Sequence, residues 1–328
     1  MSTVNPVSPA SATPSEAAGA RPVARQVLCH FQGRFVPLAE AKVGVMTHAF
    51  LYGTAVFEGI RAYWNPEQGQ LFGLKLREHY ERMRRSCRVL LMDLPGTPDE
   101  LVALTAELLR RNGFREDAYI RPTAYKSTET IGVRLHKLEH EFVLFCLPFG
   151  DYVDTTHGIR AGSVSWRRSP DDAIPARGKI VGAYVNSAFA KTEAQLNGYD
   201  EAIVLTADGH VSEGSAENVF VVRDGLLITP PVTDDILEGI TRAGLIELAK
   251  RELGLTVVER RIDRSELYVA DEVFFSGTGA QVAPVIEIDH RPVGDGQIGP
   301  LSRRIRDLYF DVVRGRVPAY ADWLTPIY

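Results

Sequence analysis

The spacing of apolar and polar positions changes along the chain, and the changes predict most of its elements. Ordered structure is predicted to begin near Gln26, where QVLCHFQGRFVPL reads as two short strands turning at Gln32-Gly33. Helical spacing predicts helices over 74–94 and 98–113. The second starts at Thr97-Pro98, repeats leucine at 101, 104, 108 and 109, and stops at Asn112-Gly113. Extended runs predict strands at 117–125 and 141–148, and Pro148-Phe149-Gly150-Asp151 then breaks the pattern. The second half opens with a predicted strand at 159–166. A helix over 182–196 follows and ends at Asn197-Gly198. Asp-Gly pairs at 208–209 and 224–225 signal two hairpins, followed by a helix over 240–254 and a strand at 272–276. Strands and helices interleave, yet hairpins are frequent. This predicts an α+β chain of two domains with mixed and antiparallel sheets, rather than a doubly wound parallel sheet.

The length, 328 residues, leaves room for two domains and a substantial core. Residues 1–25 are Ala-, Pro- and Ser-rich and carry too few large apolar side chains to offset the entropy of ordering. They are expected to be a disordered tail, and they have neither the charged start nor the apolar centre of a signal peptide. A smaller N-terminal domain is expected over 26–148, a linker over 149–158 and a larger domain over 159–328. Lys plus Arg is 37 and Asp plus Glu is 42, a net charge of −5, which argues against nucleic acid as a partner. Cys29, Cys87 and Cys146 form no CxxC pair. They point to a reducing, cytoplasmic setting and away from a disulfide scaffold or a thiolate metal site. No apolar run approaches the roughly 20 residues that span a bilayer.

Three segments carry candidate chemistry. Among seven lysines, Lys42, Lys75, Lys126, Lys137, Lys191 and Lys250 stand on charged faces or beside polar residues. Lys179 instead lies in AIPARGKIVGAYVNSAF, between Gly178 and Gly182 and beside Ile180 and Val181, an apolar setting of the kind that activates an amine nucleophile. In LEGITRAGLIELAKREL, Gly239 precedes Thr241 at the start of a helix, where free N–H groups favour a phosphate. FFSGTGAQVAP places Gly277, Thr278 and Gly279 after a strand. Val282 occupies the third glycine position of a dinucleotide fingerprint, but small residues still let backbone N–H groups approach an anion. A competing zinc-hydrolase reading rests on His136, Glu139 and His140, an HxxEH pattern that needs a helix where EFVLFCL already reads as a strand. There is no GxSxG serine elbow and no GxxxxGK[ST] loop.

Taken in order, HAFLYGTAVFEGIRAY (48–63), REHYERM (77–83), AYIRP (118–122), GKIVGAYVNS (178–187), EAIVLTADGHVSEGSAENVF (201–220), LEGITR (237–242) and SGTGAQVAPV (276–285) resemble the branched-chain amino acid aminotransferases. These are fold-type IV enzymes dependent on pyridoxal 5'-phosphate, and the resemblance covers about residues 26–300. The YGxxxFEGxR string and AYIRP favour the L-branched-chain subgroup over the D-amino-acid aminotransferases, (R)-amine transaminases and aminodeoxychorismate lyases that share the fold.

The resemblance implies roles for named residues. Lys179 would hold the cofactor as a Schiff base and shuttle the proton at the substrate α-carbon. Glu213 would face the pyridine nitrogen and keep it protonated, so that the ring serves as electron sink. Tyr184 would bond the ring hydroxyl oxygen and Leu237 would pack on the ring. Arg82, Ile240, Thr241 and Thr278 would form the phosphate cup. Tyr52, Phe57, Tyr119 and Tyr152 resemble the apolar wall around a branched side chain, and Thr278, Gly279 and Ala280 would offer donors to the α-carboxylate. The implied substrates are L-Leu, L-Ile and L-Val, with 2-oxoglutarate and L-Glu as the acceptor pair. Arg121 and Arg61 are the candidates for the second carboxylate. Ala183 stands where the family commonly has Asn, Phe149 where Trp is common, and STETIGVRLHKLEH lacks the usual proline; all three lie on the substrate side. The family's active site lies between the domains and is closed by a partner subunit, so a homodimer or larger homo-oligomer is expected.

Overall fold

A computed structural model describes residues 27–150 and 157–328. The expected tail and most of the expected linker, Tyr152 among them, lie outside the described residues.

The first half builds an antiparallel sheet. β1 (Leu28–Phe31) and β2 (Arg34–Pro37) form the predicted hairpin, its turn made by Gln32 and Gly33, both at positive φ. After the short α1 (His48–Tyr52) come β3 (Ala55–Phe57), β4 (Ile60–Asn65) and β5 (Gln70–Leu74). Two helices, α2 (Leu76–Val89) and α3 (Pro98–Asn112), lead to β6 (Ala118–Lys126) and β7 (His140–Pro148). β6 and β7 pair over their full length, and Ile120, Ala124, Phe142 and Leu144 pack with Tyr80, Met83, Leu101 and Leu108 of the helices. The Thr97 and Glu100 side chains cap α3 reciprocally, with Pro98 in its first turn and Gly113 left-handed at its end. α2 is shorter than its apolar pattern predicted, because Lys75 and Leu91 on either side take positive φ (47° and 53°) and break the helical path.

The second half builds a mixed sheet. Its elements are β8 (Ile159–Arg167), α4 (Tyr184–Leu196), β9 (Glu201–Leu205), β10 (Val211–Gly214), β11 (Asn218–Arg223) and β12 (Leu226–Thr229). They continue with α5 (Ile240–Arg251), β13 (Val257–Glu259), β14 (Glu272–Gly277), β15 (Gln281–Ile288), β16 (Arg291–Pro292) and α6 (Pro300–Val313). β8 runs parallel to β9 and β15, and β12 parallel to β13; the other pairs are antiparallel. β11 and β14 are buried on both faces. Val219, Val221 and Phe275 face one core, while Phe220 and Phe274 stack under α5 and α6 in another. That is why these strands read as nearly unbroken apolar runs. Of the two Asp-Gly turns, Asp224-Gly225 closes a two-residue hairpin with both φ positive, whereas 208–209 lies in a longer loop.

The chain then returns to its beginning. β17 (Leu324–Pro326) pairs with β5, so the first sheet has eight strands and its edge comes from the C-terminal residues. Tyr63 and Leu74 share a core with Tyr309 and Trp323, which joins the two sheets through apolar packing. Lys126, expected on a polar face, is instead 1% exposed and donates to the Leu91 carbonyl at 2.6 Å, fixing the turn after α2.

Candidate active site

A cavity of about 520 Å³ opens between the two sheets and takes walls from both. Lys179 reaches it from a segment laid along β3. Phe57 N donates to Lys179 O at 3.1 Å, Val56 bridges Ile180, and Gly182 N donates to Gly53 O at 3.1 Å. Gly53 has φ 67°, and a Cβ there would stand 2.7 Å from Gly182 Cα. The YGTAVFEG and GKIVGAY strings are thus two sides of one close backbone contact. Lys179 Nζ donates to Tyr184 Oη at 2.7 Å and lies 5.0 Å from the Phe57 ring centroid.

Glu213 lies buried in the same cavity. Its Oε2 accepts from Asn218 Nδ2 at 2.8 Å and from Leu237 N at 3.3 Å, and Arg168 Nη2 is 3.2 Å from Oε1. Burial pushes this carboxyl up; Arg168, the Leu237 amide and Lys179 oppose the rise without cancelling it. Arg168 also donates to Gly214 O at 2.5 Å and to Ser187 Oγ at 3.3 Å.

Arg82 marks another wall. Its Nε and Nη2 donate to the two oxygens of Glu58 at 2.8 and 2.6 Å, and Nη1 donates to Glu238 O at 2.8 Å. His79 Nδ1 adds a 2.8 Å bond to Glu58. Burial alone would raise the Glu58 carboxyl, but the Arg82 charge and these bonds hold it down at about 2. α5 begins nearby with Ile240 and Thr241 on the cavity, and no side chain caps its start. Gly239 keeps that start bare: a Cβ would fall 2.0 Å from Asn218 Oδ1. Uncapped N–H groups beside a guanidinium make an anion site.

Phe57, Tyr119, Arg121, Leu237, Thr278 and Gly279 also line the cavity. Among the described residues the Arg121 guanidinium takes only the Tyr119 hydroxyl oxygen, at 2.6 and 3.0 Å, and lies 4.2 Å from the Phe57 ring centroid. Three expected residues are elsewhere. Arg61 is 1% exposed and binds the carbonyls of Phe149 and Gly150, so it anchors the end of β7 rather than facing the cavity. Tyr52 is on the outer face of α1, where its Oη accepts from Gly132 N at 3.1 Å. Ala280 is packed into the core beneath the 277–281 turn. Tyr152 lies outside the described residues. His136 and Glu139 lie in an exposed loop and His140 opens β7, so the two histidines share no helix face. Among the described residues no group of three His, Cys, Asp or Glu could hold a metal.

Four residues escaped the sequence reading: Glu58, Arg168, Glu217 and Asn218. A signal existed for Glu58, an acid inside the apolar run AVFEGI that must find a cation when buried. None singled out Arg168 within WRRSP.

The class IV amino-transferase family model matches residues 55–288. The chain belongs to the class IV aminotransferases. A probable branched-chain-amino-acid aminotransferase of Aquifex aeolicus is 52% identical over 298 residues, 91% of this chain and 96% of that one. The branched-chain aminotransferase of Thermoproteus uzoniensis, solved with norvaline, superposes with a TM-score of 0.88 at 46% identity, covering 92% of this chain and 99% of that one. The branched-chain amino acid aminotransferase of Thermobaculum terrenum, solved in its pyridoxal-phosphate holo-form, gives 0.88 at 38% identity, covering 92% and 98%. Pyridoxal 5'-phosphate is the cofactor of class IV aminotransferases, and the cavity suits it. It offers an amine at Lys179, a buried carboxylate at Glu213 and an anion site where Arg82 meets the bare start of α5.

Proposed function

We propose that this class IV aminotransferase transfers the amino group between L-leucine, L-isoleucine or L-valine and 2-oxoglutarate, with pyridoxal 5'-phosphate on Lys179. The observation that carries the reading is one cavity holding the Lys179 amine, the Glu213 carboxylate and the Arg82–α5 anion site. The cofactor supplies an electron sink that stabilises charge at the substrate α-carbon. Lys179 Nζ would hold its aldehyde carbon and, once released, move the proton at that α-carbon. Tyr184 Oη, 2.7 Å from Nζ, orients the amine. Glu213 would hold the proton of the ring nitrogen, with Arg168 and Asn218 fixing its carboxylate. Arg82, Ile240, Thr241 and Thr278 would bind the phosphate, and Leu237 would pack on the ring. Phe57 and Tyr119 offer an apolar wall for a branched side chain, while Arg121 offers a guanidinium for the second carboxylate of 2-oxoglutarate.

We place the enzyme in the cytoplasm as a homodimer or larger homo-oligomer. Its three cysteines are free and buried, and no helix among the described residues is long and apolar enough to cross a membrane. Phe50, Ile131 and Val133 are 68%, 78% and 78% exposed on the face that carries Tyr52, an apolar surface suited to a second copy. Light scattering tests the assembly. Borohydride should fix the cofactor covalently, and peptide mapping should find it on Lys179. Labelling of another lysine, or a colourless protein that ignores added cofactor, would overturn the assignment. Coupled assays with L-Leu, D-Ala and (R)-1-phenylethylamine against 2-oxoglutarate should rank L-Leu first.

A further inference from the structure

Helix α2 buries two stripes. Leu76, Tyr80, Met83 and Cys87 enter the apolar core of the first half. Beside them runs a buried polar stripe, His79, Arg82 and Ser86, at helical spacing. Buried polar side chains need partners. His79 and Arg82 find theirs in Glu58. Ser86 finds its partner 93 positions along the chain: its Oγ accepts from Lys179 N at 3.1 Å. The amides on either side of that lysine are served by their own turn. Gly178 N donates to Pro175 O at 3.0 Å, and Ile180 N donates to Gly178 O at 2.8 Å.

Lys179 is therefore tied to one frame through both of its backbone polar groups. Its carbonyl accepts from Phe57 N, and the next residue, Glu58, is gripped by Arg82. Arg82 in turn stands four residues before Ser86, about 6 Å along the helix axis. The circuit passes through the guanidinium of the anion site and returns to the lysine. We propose that Ser86 is a positioning residue for Lys179: its hydroxyl holds the lysine backbone to the helix that carries Arg82, so that the amine and the anion site keep a fixed separation. Lys179 Nζ bonds to the aldehyde carbon of the cofactor, and the aldehyde oxygen leaves with the two amine protons as water. That bond forms in a set geometry only while the lysine backbone is held against the site that anchors the phosphate. Without the Ser86 hydroxyl, Lys179 N is a buried donor with no acceptor, and its segment shifts to regain one.

The inference rests on the proposal that Lys179 carries the cofactor. Borohydride trapping and peptide mapping of the wild-type holoenzyme test that proposal alone, and labelling of another lysine would overturn both. The second measurement takes full-length wild type, Ser86→Ala and Ser86→Thr, stripped of cofactor. Each is titrated with pyridoxal 5'-phosphate and, separately, with pyridoxamine 5'-phosphate. The two share a ring and a phosphate, but the second carries an amine in place of the aldehyde and cannot bond to a lysine. Ser86→Ala should weaken binding of the aldehyde form on the order of tenfold more than binding of the amine form, the effect of one buried donor left unpaired. Ser86→Thr keeps an acceptor and should hold the ratio of the two affinities near that of wild type. A Ser86 that merely supported α2 would act through Arg82 and the phosphate, so its loss would weaken both forms alike. With the wild-type cofactor trapped on Lys179, an unchanged ratio in Ser86→Ala, or a ratio in Ser86→Thr as low as in Ser86→Ala, would overturn the inference.

Discussion

Glu58 and Glu213 are both buried carboxylates, Glu58 behind the Arg82 that lines the cavity and Glu213 on the cavity itself, each facing an arginine, yet they are held in opposite ways. Glu58 receives two bonds from Arg82 and one from His79, and its carboxyl is held at about 2. Glu213 receives two neutral donors and a single 3.2 Å contact from Arg168, and burial wins, so its carboxyl is pushed up. The first acid is matched within the chain and serves as a clasp that aims Arg82. The second is under-compensated, and the cationic ring N–H of the cofactor would complete it. In a buried site, the charge left short of partners is the one available to a ligand.

The largest expected effect comes from breaking the matched pair. Arg82→Met leaves Glu58 buried with only His79, and an uncompensated buried charge costs about 3–5 kcal/mol. Chemical denaturation of the apoenzyme measures this without the cofactor's own stabilisation. The pH dependence gives a second check. Glu58 falls from an ordinary 4.5 to about 2 on folding, so its contribution is present above the unfolded value and is lost as pH falls through the folded one. Wild type should lose this stability between about pH 4.5 and 2, and Arg82→Met should not. Equal stability of the two proteins at neutral pH would dissolve the contrast between the acids.

What the sequence exposed and what it hid follow the same division. Lys179 and Thr241 stand in short strings whose chemistry is local, a glycine-flanked amine and a helix start with free N–H groups, whereas Glu213 was pointed to by the family resemblance alone. The Glu58–Arg82 clasp spans 24 positions and exists only once α2 packs behind β3 and β4. Arg168 reaches Glu213 from just past the end of β8, whose register with β9 shifts between Ser163 and Arg167, a displacement that no residue pattern announces. Tyr52 and Ala280 do not line the cavity of the single chain, and a matching string does not say which way a side chain turns. In the fold, α6 was legible in principle, with Gly299-Pro300 followed by Ile305, Tyr309 and Val312 at helical spacing. α1 has five residues and is too short for periodicity to detect. β17 could not be placed by any local signal, since its partner β5 lies about 250 positions earlier.

The next effect falls on the under-compensated acid. Glu213→Gln keeps the shape and the Asn218 contact but cannot hold the proton of a ring nitrogen. Loss of one preorganised electrostatic group costs about 10²- to 10³-fold in turnover. kcat and kcat/KM should fall together while cofactor binding persists, because the Arg82–α5 anion site is untouched. Stopped-flow and steady-state kinetics with L-leucine check this. Near-wild-type turnover would make Glu213 a structural acid like Glu58.

The smallest of the three effects carries the same contrast over to cations. Arg61 is buried off the cavity, and its Nη2 binds the carbonyls of Phe149 and Gly150. Arg121, on the cavity, has only the Tyr119 hydroxyl and meets no carboxylate among the described residues. L-leucine is apolar and 2-oxoglutarate carries a second carboxylate, so one pocket needs a cation that rests elsewhere when leucine is bound. Arg121, lying over the Phe57 ring at 4.2 Å, has such a resting place. A lost charge-assisted hydrogen bond is worth about 1.5–3 kcal/mol, on the order of 10- to 150-fold. Arg121→Met should lower kcat/KM for 2-oxoglutarate by that factor and leave the half-reaction with L-leucine largely intact. Arg61→Met should weaken folding and change both half-reactions alike, because it acts on the backbone at the end of β7. Single-turnover measurement of the two half-reactions separates these outcomes. Equal loss in both half-reactions for Arg121→Met would put Arg121 with the structural cations and leave the second carboxylate to another group on the cavity wall.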